Sequence, residues 1–264
     1  MIIELKAKNP IVHCITNHVV SNFQANGLLA LGASPIMGEA PEEAEELAAL
    51  ADAVSLNIGT LNIGSLKSML LAGKTANRLG IPVVLDPVGV GAARFRAQAV
   101  ADILAQVNIT VLRCNAGELA AIAGAEWNSK GVDAGDGDAD IAELAKNAAV
   151  KYDFIVAVTG ETDIVTDGNQ VAEIPYGDEV MASITGMGCL LSATVAAFLS
   201  ISNDHNAFAA TVAALRFYAL AGEAAAVRSR LPGDFQTAFL NQLAVQEGQG
   251  TDEQNLLKVE EASK

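Results

Sequence analysis

Short apolar runs alternate with helical stretches along nearly the whole chain. Ile11-Val12-His13-Cys14-Ile15 reads as a strand, and Asn17 is placed to cap a helix that runs on to Leu31. Pro41 to Glu46 opens another helix, with proline and acids in the first turn, where the macrodipole favours them. Ala53 to Asn57 is the next strand, followed by a helix up to Leu79, and Gly80 breaks to a strand from Ile81 to Leu85. A helix from Phe95 to Val107 leads into the strand Ile109 to Leu112. Phe154 to Val158 is a further strand, and Ile164 to Thr166 pairs with Gln170 to Ala172 through the turn Asp167-Gly168-Asn169. From Gly188 the chain is almost wholly helical, and residues 247–264 read as a disordered tail.

This succession predicts an α/β fold: a three-layer α/β/α sandwich with a largely parallel central sheet, in one domain over residues 1–246. Ligands of such sheets gather at the carboxyl ends of the strands. That rule selects Asn57, Asp86, Arg113 and Thr159, each of which ends a predicted strand.

Composition narrows the picture. The 264 residues are 51% hydrophobic but only 5% aromatic, so the core must be built from Ala, Val, Leu and Ile, as helices packed on a parallel sheet require. A net charge of −15 argues against nucleic acid or an anionic membrane as partner, yet leaves room for a nucleotide, which needs only a local cluster of donors. Met1 to Lys6 has no basic head followed by an apolar core, so no signal peptide is expected. The longest apolar run, Leu190 to Ile201, contains Ser192, Thr194 and Ser200 and is too short to span a bilayer. Cys14, Cys114 and Cys189 are odd in number and widely spaced, which suits neither a disulfide framework nor a zinc pair; a reduced, cytoplasmic setting is the expectation.

Three motifs are decoys. Gly73-Lys74-Thr75 lacks the earlier glycine of a P-loop, since Ser68 stands there, and it lies within a predicted helix. Gly89-Val90-Gly91 lacks the third glycine of a dinucleotide fingerprint, because Arg94 occupies that place. Asp133, Asp136, Asp138 and Asp140 resemble a calcium loop, but Ile141 replaces the required glycine. His13, His18 and His205 are too scattered for a metal site, and Trp127 falls in a predicted loop.

Gly186-Met187-Gly188-Cys189 is the strongest local signal. Its glycines precede a long helix, so bare N–H groups and the helix dipole together suit a developing negative charge. Cys189 lies in the first turn, where that field is expected to lower its pKa. Arg113 offers a planar fork for phosphate oxygens, and Glu118 is a hard oxygen ligand able to hold Mg²⁺ directly or through water; a surface ion pair is the competing account of the two. Asp86 ends an apolar strand, where an idle carboxylate is costly, though a helix cap would also explain it. Thr159 puts a hydroxyl at another strand end, for which an ordinary turn is the alternative.

Taken in order, Val12-His13-Cys14-Ile15-Thr16-Asn17, Ala30 to Met37, Asp86 to Ala92, Arg113 to Glu118, Val158 to Asp163 and Thr185 to Cys189 resemble the hydroxyethylthiazole kinases, a branch of the ribokinase-like fold. The resemblance spans Pro10 to about Leu243. It implies ATP-dependent phosphorylation of 4-methyl-5-(2-hydroxyethyl)thiazole, with Arg113, Thr159 and Asn115 at the ATP and Met37, Asn17 and Gly186 at the thiazole alcohol. It also implies Gly186 and Gly188 in an anion hole, Asp86 and Glu118 organising Mg²⁺ and its waters, and a homotrimer with sites shared between subunits. Cys189 stands where related sugar and hydroxymethylpyrimidine kinases are expected to carry a catalytic aspartate. The family often has glycine at the position of Cys114; a side chain there either crowds the phosphates or points away.

Overall fold

The computed structural model describes residues 1–124, 141–202 and 206–245. Asp133, Asp136, Asp138 and Asp140 of the calcium-loop echo, Trp127, His205 and the tail from 247 lie outside them. The chain begins with a short helix, α1 (Ile2–Lys8), that the apolar pattern did not reveal; Lys6 Nζ donates to the carbonyl of Ala244 at 2.6 Å, so a contact from the far end of the chain holds it. Then follow β1 (Ile11–Ile15), α2 (Ser21–Leu31), β2 (Ser34–Ile36), α3 (Ala44–Leu50), β3 (Ala53–Asn57), α4 (Ile63–Leu79) and β4 (Val83–Asp86). The second half holds α5 (Arg94–Gln106), β5 (Val111–Asn115), α6 (Ala116–Ala123), α7 (Ile141–Tyr152), β6 (Ile155–Thr159), β7 (Asp163–Thr166) and β8 (Val171–Ile174). The last of the described residues form α8 (Met187–Leu199), α9 (Ala207–Arg228) and α10 (Pro232–Ala244).

Most predicted elements are present within a residue or two. Gly80 takes a left-handed conformation (φ 70°) that closes α4, as its break predicted. Several local expectations are corrected. Asn17 does not cap α2: that helix starts at Ser21 after Val20, and the Asn17 side chain instead accepts from the Val20 N–H at 3.2 Å. Pro41 to Glu43 form a turn, and α3 begins only at Ala44. Lys74 is a surface residue of α4 whose amine donates to Gln106 Oε1 at 2.7 Å, which disposes of the P-loop echo. The Leu190 segment lies in a helix of 13 residues, too short to span a bilayer, as expected. Among the described residues α9 is long and apolar enough by length and composition, and half of its apolar window is buried.

Among the described residues one sheet carries eight strands in the order β2-β1-β3-β4-β5-β6-β7-β8. The first six in that order run parallel, and β7 and β8 turn back antiparallel as the predicted hairpin. Alternate strand residues feed two cores. Val12, Val84, Val111 and Ala157 pack with α2, α8, α9 and α10; Ile15, Leu56, Leu85, Leu112 and Val158 pack with α3, α4, α5 and α7. The result is the expected α/β/α sandwich. Strand order reverses between β1 and β3, and a reversal of this kind opens a crevice at the carboxyl ends.

Candidate active site

That crevice is closed by hydrogen-bonded side chains. Asn17, just past β1, donates from Nδ2 to Asn57 Oδ1 at the end of β3 (3.0 Å), and Asn57 donates to Asp86 Oδ2 at the end of β4 (2.7 Å). Asp86 is fully buried, and a lone carboxylate there would be prohibitive. It has three partners: Asn57, the Ser192 hydroxyl at 2.9 Å on the same oxygen, and Arg113 Nη2 at 2.8 Å on the other.

Arg113 was expected at a strand end. It lies inside β5, which continues to Asn115, and only 6% of it is exposed. A charged residue can sit there because it points to the same face as Val111 and meets Asp86. Burial pulls its pKa down, but Asp86 and then Glu118 outweigh this, so the guanidinium stays charged. Its Nε donates to Ser192 Oγ (2.9 Å) and its Nη1 to Thr159 Oγ1 (3.3 Å). Of the five N–H groups of an arginine these use three, which leaves one on each terminal nitrogen for a ligand. Cys114, one residue on, points the opposite way into the core with Leu119 and Val158; it does not crowd the site.

The N-terminus of α8 covers this pair. Gly186 has φ 96°, and a Cβ there would lie 2.5 Å from Val20 Cγ1, so glycine is required twice over. A Cβ on Gly188 would lie 2.9 Å from both terminal nitrogens of Arg113; the guanidinium is packed directly against that backbone. Cys189 receives a long hydrogen bond from Asn17 Nδ2 at 3.4 Å, and its carbonyl accepts from the buried Gln24 amide at 3.0 Å. The expected lowering of its pKa is overturned. Burial, with Asp86 nearby, pushes the thiol up to about 11 against the opposing pull of Arg113, Asn57 and Asn17. Cys189 is therefore a neutral thiol at pH 7.

Glu118 and Asn115 form a capping box on α6: the Asn115 side chain accepts from the Glu118 N–H (2.8 Å), and Glu118 Oε2 accepts from the Asn115 N–H (2.9 Å). The other Glu118 oxygen accepts from the Gly89 N–H at 2.8 Å, joining the turns after β4 and β5. Burial raises the Glu118 pKa, and Arg113 partly offsets that. Thr159 ends β6 and touches Arg113; in the turn beyond it, Asp163 Oδ1 accepts from the Gly160 N–H at 3.0 Å. Met37 follows β2 and stands outside the network, 36% exposed. His13 is buried, donates through Nε2 to the Gly38 carbonyl at 2.8 Å, and is held neutral by burial.

Asn17, Asp86, Arg113, Thr159, Gly188 and Cys189 thus come together, with Asn115 and Glu118 in the adjoining turn. Three members escaped the sequence reading of roles: Asn57, Ser192 and Gln24. Asn57 did stand at a strand end, and Ser192 is a hydroxyl in an otherwise apolar helix. Those signals locate them but do not say what they touch. Among the described residues no group of three or more His, Cys, Asp or Glu is arranged to hold a metal.

Comparison with known proteins identifies the family and the fold. The model of the "Hydroxyethylthiazole kinase family" matches residues 2–247. A hydroxyethylthiazole kinase of Histophilus somni is 51% identical over 243 residues, 91% of each chain. The solved structure of a hydroxyethylthiazole kinase protein from Pyrococcus horikoshii superposes with a TM-score of 0.84 at 40% identity, covering 92% of this chain and 91% of that one. A ribokinase-like superfamily protein from Enterococcus faecalis, at 12% identity, shares the fold with a TM-score of 0.65 over 90% of this chain and 88% of its own.

Proposed function

The chain belongs to the hydroxyethylthiazole kinase family, and we propose that it transfers the γ-phosphoryl group of ATP to the primary hydroxyl of 4-methyl-5-(2-hydroxyethyl)thiazole. The reaction serves thiamine biosynthesis and salvage. The observation that carries this reading is the meeting of Asp86, Arg113 and Thr159 beneath the N-terminus of α8, in a chain half identical to relatives bearing that name.

Phosphoryl transfer has a loose transition state, so positioning and electrostatics matter more than a strong base. The substrate hydroxyl attacks the γ-phosphorus in line. Charge on the transferring group is met by the backbone N–H groups of the first turn of α8 and by Arg113 behind Gly188. The two uncommitted N–H groups of Arg113 suit phosphate oxygens, and Thr159 and the turn capped by Asn115 flank the nucleotide. Met37 packs its thioether on the thiazole ring, while Asn17 and Gly186 orient the alcohol. Cys189, a neutral thiol, shapes the site and does not take the proton.

Of the acids Asp86 and Glu118, Glu118 alone fits magnesium through water: it is partly exposed, and Mg²⁺ commonly keeps several waters beside one or two carboxylates and substrate phosphates. Asp86 is fully buried with both oxygens engaged, and its part is to hold Arg113. When bound, Mg²⁺ would neutralise charge on the phosphates.

The resemblance to the family adds a homotrimer with shared sites. Val19 and Ile63, 71% and 81% exposed near the carboxyl ends of β1 and β3, are apolar and suit a covered rim. The catalytic reading is tested by ADP release against a panel of heterocyclic alcohols. The thiazole alcohol should be turned over at least ten times faster than hydroxymethylpyrimidine or ribose, and equal or reversed preference would remove it.

A further inference from the structure

Asp86, Arg113 and Ser192 form a closed ring of three hydrogen bonds. Arg113 Nη2 donates to Asp86 Oδ1 at 2.8 Å, Arg113 Nε donates to Ser192 Oγ at 2.9 Å, and the Ser192 hydroxyl donates to Asp86 Oδ2 at 2.9 Å. Asp86 and Ser192 are fully buried and Arg113 nearly so. A serine inside a buried helix ordinarily gives its proton to the carbonyl four residues back. Thr194, two residues further along α8 and equally buried, does this, donating to the Leu190 carbonyl at 2.9 Å. For Ser192 the corresponding carbonyl, that of Gly188, is at 3.3 Å, and the shorter approaches are to the ion pair. The single hydroxyl proton cannot serve both, and the carboxylate is the stronger acceptor.

The ring has a mechanical consequence. Without Ser192 the guanidinium would be held by Nη2 on Asp86 and by the longer Nη1 contact to Thr159 at 3.3 Å, which leaves its plane freer to tilt. Holding Nε as well fixes its plane, and that plane lies against Gly188. We infer that Ser192 is a positioning residue for phosphoryl transfer: its hydroxyl holds the Arg113 guanidinium flat beneath the anion-hole backbone. Its two uncommitted N–H groups then face the phosphates. The inference rests on the kinase reading given above, and it concerns a residue that touches neither substrate nor nucleotide.

The test is a double-mutant cycle on kcat with ATP and the thiazole alcohol. Ser192→Ala should lower kcat about ten- to a hundredfold, the range expected when a hydrogen bond to a charged group is lost. The KM of the thiazole alcohol should stay within about twofold, since Met37 and Asn17 are untouched. In an Arg113→Lys background, where no Nε fork remains to be aligned, the same Ser192→Ala change should cost less than about threefold. Thr194→Ala, the control within the same helix, should leave kcat within about threefold of the parent. Near-parental kcat in Ser192→Ala, or a loss that multiplies unchanged on Arg113→Lys, overturns the inference. Alanine adds no bulk and favours a helix; if that variant does not fold, Ser192→Cys, nearly isosteric but a weak donor, takes its place in the cycle. Failure of the parent enzyme to phosphorylate the thiazole alcohol would instead remove the kinase reading, so the two failures are distinguishable.

Discussion

The Arg113 guanidinium and the Asp86 carboxylate meet at 2.8 Å on neighbouring strands, both shielded from water by the first turns of α8. Each makes the other tolerable in the interior. Removing one partner leaves a buried charge uncompensated, which typically costs about 3–5 kcal/mol. Asp86→Asn should therefore lower stability by that order in urea unfolding and should cut kcat far more than it weakens binding of the thiazole alcohol. If circular dichroism shows an intact fold and turnover is near normal, Asp86 has no part in catalysis.

Gly188→Ala should act through Arg113. The added methyl would stand 2.9 Å from both terminal nitrogens, so the guanidinium must move. We expect kcat to fall about tenfold or more, with a change of less than threefold in the KM of the thiazole alcohol. A raised KM with kcat unchanged would mean that the glycine matters only for substrate binding.

These two positions also mark what the chain itself discloses. The strand ends were legible, because apolar runs stop where Asn57, Asp86 and Thr159 begin to meet the ligand side. Arg113 was not legible as a strand residue: a charge after Val111-Leu112 looks like the end of a strand, and only the Asp86 partner on β4 makes it an interior position. Cys189 misled for a similar reason. Its place in a helix first turn is local, but the burial that raises its pKa is tertiary, and Asn17 and Gln24 come from distant segments. The β2 strand, three residues with Pro35 at its centre, carries no pattern long enough to read and exists by pairing with β1.

Asp163 should leave a signature in stability against pH. Burial raises its pKa from 3.8 to about 6, while the Gly160 hydrogen bond and then Arg113 pull it down. Between those values the folded state holds a proton that the unfolded chain has released. Stability therefore falls as pH rises from about 4 through about 6, and the loss is complete above that. Asp163→Asn keeps an acceptor for Gly160, removes this window, and should raise the melting temperature at pH 7 relative to the parent. An unchanged pH dependence between 4 and 6 would mean that Asp163 is ionised throughout.

Glu118→Gln should loosen the two turns that the carboxylate joins. An amide can accept from either the Gly89 or the Asn115 N–H through its oxygen, but its nitrogen cannot accept from the other. The cost in stability should be about 1–3 kcal/mol, accompanied by a larger fall in kcat than in affinity for the thiazole alcohol. Parental kcat would show that neither the charge nor the turns it joins assist transfer.

Met37→Ala should raise the KM of the thiazole alcohol with a smaller effect on kcat. Truncating an apolar contact mostly removes binding shared by ground and transition states, here on the order of 1–3 kcal/mol if the thioether covers the ring. An unchanged KM would place the ring elsewhere.

The central claim is direct transfer from ATP to the thiazole alcohol at the α8 N-terminus, with Cys189 neither base nor nucleophile. Rapid quench of the parent and of Cys189→Ala with γ-labelled ATP and the thiazole alcohol tests it most directly. The account predicts labelled thiazole phosphate from both, more slowly from the variant, and no label on the protein at any time. Label trapped on the parent protein, a folded Cys189→Ala that forms no product, or a parent that leaves the alcohol unlabelled would contradict it.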